Sequence, residues 1–301
     1  MLGLRNWLLF MLMALLWGSN WAVMKLGLQY VAPVPLLTAQ YLFSLAAMSP
    51  VIISVRERIP RDKKTLVRLI AYSLLYLVQV ALMRFGLVGE TSGTASVLLY
   101  SQPLFVVLLS TLFLKEKATA TKVLGALVGF AGVSILFIGK MSSLQIHYVL
   151  IMVVSAFLWA VETVYYKLYL SQVNPFAAIL AQLLVGTFIL LPFSAVTGNL
   201  HFPLNPTYLM IVTYSAVGSF AVGWSIWLFL LSKEDATVLS GSSLIVPLLA
   251  LLIGWRVLGE SVGAQSLLGA TLTLCGVYLV NAVNRRDLRK NQFLFSQTRR
   301  C

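Results

Sequence analysis

"LLWGSNWAVMK" at 15–25 and "FLWAVETVYYK" at 157–167 carry one pattern twice, 142 residues apart: Leu-Trp, a polar side chain three residues after the Trp, and a Lys five residues beyond that. The second copy puts Glu162 where the first has Asn20. A chain that repeats itself half a length later calls for a search for internal symmetry before any local motif is interpreted. Pro35 pairs with Pro175 at an offset of 140, and "TASVL" at 94–98 pairs with "ATVL" at 236–239 at an offset of 141. Pro103, Glu116, Gly125 and Gly132 pair with Pro247, Glu260, Gly269 and Gly276, all at an offset of 144.

The solvent of the repeated unit follows from composition. With 59% hydrophobic residues, 10% charged residues and a mean hydropathy of +0.90, too little polar surface exists for a water-soluble globule. About 20 apolar residues cross a bilayer as a helix. Ten such segments fall near 6–27, 35–55, 66–86, 93–114, 121–139, 147–169, 175–196, 207–231, 236–257 and 264–283. The expected fold is therefore an all-α integral membrane protein of ten transmembrane helices. Its repeats would span 6–140 and 141–283, followed by a basic tail at 284–301.

The formal charge of +13 does not point to nucleic acid, since the basic residues sit at helix ends and form no patch with stacking aromatics. With a cytoplasmic N-terminus, only Lys25, Arg84, Lys140 and Arg256 of the 22 basic residues fall outside. The positive-inside rule then places both termini in the cytoplasm of a multi-pass protein of the cell membrane. Arg5 precedes an apolar run longer than a signal-peptide core, with no small-residue cleavage site after it, so the first span is expected to be retained. Cys275 and Cys301 lie far apart in this topology, so neither a disulfide nor a thiolate metal site is expected, and no cofactor is called for.

Five is odd, so the second unit enters the membrane from the opposite side. Such inverted repeats are the plan of secondary transporters, with substrate near the midplane and access alternating between sides.

At "LLWGSNWAVMKLGL", "SVLLYSQPLFVVLLSTLFLKE" and "GALVGFAGVSIL", with the second copies "VLSGSSLIVPLLALLIGWRVLGE" and "GATLTLCGVYLV", the chain resembles the drug/metabolite transporter superfamily. It is similar to the ten-helix form with two tandem EamA-type repeats. The resemblance covers about residues 6–283 and implies export of metabolites such as amino acids through a central cavity lined by both repeats. Two departures stand out: Gln40 occupies the middle of helix two, where members often carry Arg, and Glu162 occupies a position usually apolar or small.

Glu162 is the most informative residue, because an ionised carboxylate deep in a bilayer costs about 2.5–3.5 kcal/mol on insertion scales and rarely faces lipid. It lies about 22 Å along its helix from His147. Ser155, Trp159, Glu162, Tyr166 and Tyr169 share one helical stripe, expected to face the cavity. There Glu162 would bind a cationic group of the substrate or carry the coupling proton; the alternative is a structural acid snorkelling to Lys167 or Lys233. Asn20, its repeat mate, is a cavity candidate or interhelical glue.

Tyr72, Tyr76 and Gln79 form a second stripe, an expected hydrogen-bonding wall. Tyr100 and Gln102 precede Pro103, and Ser242 precedes Pro247; prolines that bend helices expose backbone for substrate. Trp224 is expected to line the cavity from the second repeat, while Lys25 and Arg84 are expected to snorkel at outer helix ends. "GALVG" at 125–129 is a close-packing face, and a homodimer through such faces is a candidate assembly.

An enzyme is disfavoured: there is no HExxH, no Asp-rich pair, no GxSxG, and only two His. Scarce buried cations argue against sugar phosphates. The expected activity is export of amino acids, aromatic ones included, or amines, driven by proton exchange. A facilitator of the same solutes and a lipid-linked flippase are the alternatives.

Overall fold

The computed structural model describes residues 4–55, 60–114, 119–138, 146–197, 202–234, 236, 239–240, 243–261 and 263–279. Ser242, Glu116, Lys140 and the tail lie outside them. In hydrocarbon every backbone N–H and C=O must be paired within the protein, which leaves helices as the open choice for these apolar runs. The described residues contain helices and turns and no strand.

The first repeat comprises α1 (Leu4–Gly27), α2 (Pro33–Val55), α3 (Lys63–Gly89), α4 (Ser92–Leu99), α5 (Gln102–Phe113) and α6 (Ala120–Ile138). The second comprises α7 (Ile146–Tyr169), α8 (Pro175–Val196), α9 (Pro206–Thr213), a π-helical segment (Tyr214–Gly223), α10 (Trp224–Lys233) and α11 (Ile245–Leu258), and it closes with α12 (Ala264–Leu279). With α4 and α5 counted as one segment, and α9 through α10 as another, the described residues give ten apolar helical segments. Seven are at least 18 residues long and apolar enough to span a membrane. The shorter three are Ala120–Ile135, Ile245–Leu258 and Ala264–Leu279.

Local chemistry fixes the helix ends. Asp62 caps α3 by accepting from the Thr65 amide at 2.8 Å, which holds its carboxyl below the usual carboxylate range. Asn174 and Asn205 cap α8 and α9 from just ahead of Pro175 and Pro206, where proline's missing N–H costs nothing. Gly259 ends α11 at φ 64°, a left-handed turn that glycine enters without penalty. Pro103 and Pro247 sit in the first turns of α5 and α11, so they start new helices after a break instead of bending continuous ones.

The inversion is visible in the contacts. Asn6, at the start of α1, donates to the Glu234 carboxylate after α10 at 3.5 Å, and Lys167 near the end of α7 donates to the Glu234 carbonyl. At the opposite end, Tyr148 at the start of α7 packs on Gly89, where α3 ends. Helices α1 and α7 therefore run antiparallel. The glycine faces of α6 and α12 close on one another reciprocally: Gly132 abuts Thr273 and Gly269, and Gly276 abuts Gly129 and Gly125. Those faces are used inside one chain, which removes them as the surface for joining two protomers.

The eighth crossing departs from a plain α-helix. Its π segment turns Ser215, Ser219 and Phe220 inward, all buried. Wider helical turns of this kind recur at functional sites.

Candidate functional site

The two tryptophans of the opening motifs meet. Trp17 of α1 and Trp159 of α7 stand edge to face at 6.0 Å, as symmetry mates flanking a pseudo-two-fold axis must. Trp227 joins them at 5.6 Å from Trp17 and 5.5 Å from Trp159, and Trp224 lies 5.7 Å from Trp17. Trp17 also donates its indole N–H to the Ser219 carbonyl of the π segment at 3.2 Å, where Gly223 leaves room for the ring.

From this cluster a narrow cavity of about 70 Å³ extends toward the Lys25 end, between the α1 residues Trp17 to Met24 and the α3 residues Tyr76 to Arg84. That is the volume of a few water molecules, well below the ~300 Å³ at which small-molecule sites begin. A metabolite can load only if the walls part.

Of the residues singled out in the sequence, Asn20, Tyr76, Gln79, Tyr100 and Trp224 line this cavity. Tyr72, Gln102, Glu162 and Tyr166 do not, and the reason is packing: α7 lies directly on α3. Tyr72 stacks at 6.5 Å on Tyr165 and sits 5.6 Å from Tyr166. Gln102 donates to the Thr163 hydroxyl at 3.1 Å. Of the α7 stripe, Trp159 alone reaches the cavity. Glu162 is buried, and its carboxylate accepts from Gln182 Nε2 at 3.0 Å, with Tyr72 against the same group. Gln182 Oε1 in turn accepts the Trp224 indole N–H at 2.7 Å. Glu162 thus stands one glutamine behind the cavity wall, and it does not snorkel to the membrane surface.

The sequence reading of Arg84 and Lys25 needs correction. Arg84 does not reach the interface: it is fully buried, lines the cavity, donates from Nε and Nη2 to Gln40 Oε1 at 3.2 and 2.7 Å, and lies 5.8 Å over the Phe220 ring. Helix α3 runs on to Gly89, which carries Arg84 inward of the expected end. Gln40, at the position where the superfamily resemblance leads one to expect Arg, is the acceptor that holds this cation. The clue in the sequence is Arg84's place among four basic residues that defy the charge bias.

Lys25 donates to the carbonyls of Leu87, Val88 and Glu90 at 2.9, 3.0 and 2.8 Å. The first two are among the carbonyls a helix end leaves without intrahelical partners. Its repeat mate Lys167 donates to the carbonyl of Glu234 at 2.5 Å. Glu90 and Glu234 are the residues that cap α3 and α10, so the two lysines make equivalent straps at opposite ends. Beside the first strap, the Glu260 carboxylate from the second repeat accepts from Ser92 N at 2.8 Å, Ser92 Oγ at 2.7 Å and Gly93 N at 3.4 Å, capping α4 of the first. Glu260→Ala orphans these donors, and the expected loss is about 1–3 kcal/mol, read as a lower thermal unfolding midpoint in detergent; an unchanged midpoint would mean the cap carries no stability.

Comparison with known proteins agrees with this architecture. The model of the EamA-like transporter family matches twice, over residues 5–138 and 146–282. The chain is 27% identical to the Bacillus subtilis "Uncharacterized transporter YoaV" over 275 residues, 88% of this chain and 92% of that protein. It is 26% identical to the Salmonella typhimurium "Probable amino-acid metabolite efflux pump" over 290 residues, 91% of this chain and 94% of that one. A solved crystal structure shares the fold with a TM-score of 0.70 at 19% identity, over 94% of this chain and 99% of that one. Two copies of the family match, placed on two antiparallel sets of crossings, assign the chain: it belongs to the EamA-like transporter family.

Proposed function

We propose that this chain exports small metabolites, amino acids or amines, across the cell membrane by alternating access, with both termini cytoplasmic and a proton as the coupling ion. Residues 6–140 and 141–283 act as the two inverted units. The observation that carries the reading is the pair of equivalent lysine straps at opposite ends of a central path that widens into a cavity in one half only.

In this conformation the half of the path beside Asn20 is a cavity, and the symmetry-related half beside Glu162 is packed shut. The residues named from the sequence that miss the cavity, Tyr72, Gln102, Glu162 and Tyr166, belong to that closed half. Rocking one unit against the other parts α3 from α7, exposes Glu162 to the Lys167 side and collapses the Asn20 side. Glu162 then exchanges its proton with one compartment at a time. The efflux-pump name of the Salmonella relative supports amino-acid cargo.

The test is efflux from proteoliposomes loaded with a mixed pool of amino acids and amines, with and without an imposed pH gradient. Wild type is expected to export faster with the gradient. Glu162→Gln, which keeps the bond from Gln182 within reach, is expected to retain exchange and lose the gradient dependence. Equal gradient-driven export by both would remove Glu162 as proton carrier, and gradient-independent efflux by wild type would make the chain a facilitator.

A further inference from the structure

We infer that the Lys25-side cavity is a carboxylate-binding site with Arg84 as its anchor, built to take solutes bearing one anionic group. The inference rests on the transport reading and names the substrate group that the cavity recognises.

Arg84 sets the polarity of a hydrogen-bond chain. A guanidinium offers donors only, so it takes the oxygen of the Gln40 amide, and the Gln40 NH2 must point away. That NH2 donates to Ser215 Oγ at 2.8 Å. With its oxygen thus engaged, Ser215 donates its proton to Asn20 Oδ1 at 2.5 Å. Asn20 has spent its acceptor, so the polar group it can present to the cavity is its NH2. One cation on α3 thereby orients side chains on α2, the π segment and α1.

Around Arg84 the lining then offers donors, while Gln79, whose NH2 is spent on Ser155 Oγ at 3.0 Å, leaves its oxygen as an acceptor on the same wall. Arg84 Nη1 is buried and has no hydrogen-bond partner, and the same holds for Trp159 Nε1; both residues line the cavity. Among the described residues no carboxylate lines it, so the charge of Arg84 is met there by the Gln40 oxygen and the Phe220 ring. A buried cation left in that state is costly. A buried donor without a partner is likewise rare enough to need an explanation. A ligand carboxylate answers both: it accepts from Arg84 Nη1, with Asn20 and Trp159 as further donors. The aromatic walls, Tyr76 4.6 Å from Trp224 and Tyr100 5.4 Å from Trp159, take the apolar remainder. One guanidinium matches one negative charge, so a monocarboxylate fits where a phosphodianion would be under-compensated. Glu162, behind Trp224, is placed to sense a ligand amine only through the wall.

The test compares three probes of one scaffold: phenylalanine, phenylalaninamide and phenethylamine. Thermal stabilisation of detergent-solubilised wild type is expected from phenylalanine and not from the other two, which lack the carboxylate. In proteoliposomes Arg84→Gln, which retains an amide able to bond Gln40, is expected to weaken phenylalanine efflux about 10- to 100-fold, the value of one charge-assisted hydrogen bond. Arg84→Lys is expected to recover part of it. Stabilisation by all three probes alike would overturn the site without any variant being needed. So would undiminished efflux by a folded Arg84→Gln protein, and in that case export itself would stand. Absence of efflux of any tested solute by wild type would fail the transport reading, separately from Arg84.

Discussion

Gly276→Leu is expected to unfold far below the wild-type temperature, or to lose its monodisperse peak on size exclusion in detergent. A side-chain carbon at 276 would overlap the backbone of Gly129 and Gly125, and the reciprocal contact joins Gly132 to Thr273. Backbone atoms cannot rotate out of the way as a side-chain tip can. The helices must therefore separate along the whole face, at a cost above the ~1–3 kcal/mol of ordinary overpacking. Without a hydrophobic drive between helices in lipid, that close approach is most of what joins α6 to α12. Gly263→Leu, at a glycine where an added Cβ would meet nothing within 4 Å, controls for the substitution itself and is expected to behave as wild type. A Gly276→Leu protein with wild-type stability would mean that the glycine face does not hold the repeats together.

Much of this architecture is legible in the sequence, and the reasons are physical. Apolar runs of membrane length have one backbone solution, so the crossings can be counted. An odd number per repeat forces inversion, so the meeting of Trp17 and Trp159 at the centre follows from a shared motif. Helical periodicity finds the α3 wall residues Tyr76 and Gln79, and the internal repeat finds Asn20 as the mate of Glu162. Periodicity says which residues share a face, however, and not whether that face meets a cavity or another helix. The polarity of the α7 stripe points to the cavity, yet α3 covers most of it. The π segment is equally hidden, since its sequence reads as an ordinary span, and it alone turns Ser215 toward Asn20 and Gln40. Arg84 is misplaced by the sequence because the ends of apolar runs are blurred by several residues, and a few residues decide between interface and interior.

The second large effect is expected at the straps. Lys25 bridges α1 to the end of α3, and Lys167 bridges α7 to the cap of α10. Each strap holds one end of the path closed through bonds from a charged donor, worth about 1.5–3 kcal/mol each. Removing one strap releases that end and leaves the other in place. A bias of this size moves a two-state equilibrium about 10- to 100-fold. Lys25→Met is therefore expected to favour the conformation open at the Lys25 end, and Lys167→Met the one open at the Lys167 end. Either change is expected to slow turnover, since each cycle needs both states.

Site-directed labelling tests this most directly. With Cys275 and Cys301 replaced by Ser, one reporter cysteine is placed in the cavity as Ser219→Cys and another in the packed half as Thr163→Cys, and each is reacted with a membrane-impermeant maleimide from either side of oriented vesicles. The account predicts opposite movements: Lys167→Met raises labelling at 163 from the Lys167 side while lowering it at 219 from the Lys25 side, and Lys25→Met does the reverse. Labelling that rises at both positions together, or changes at neither, would contradict alternating access about this axis.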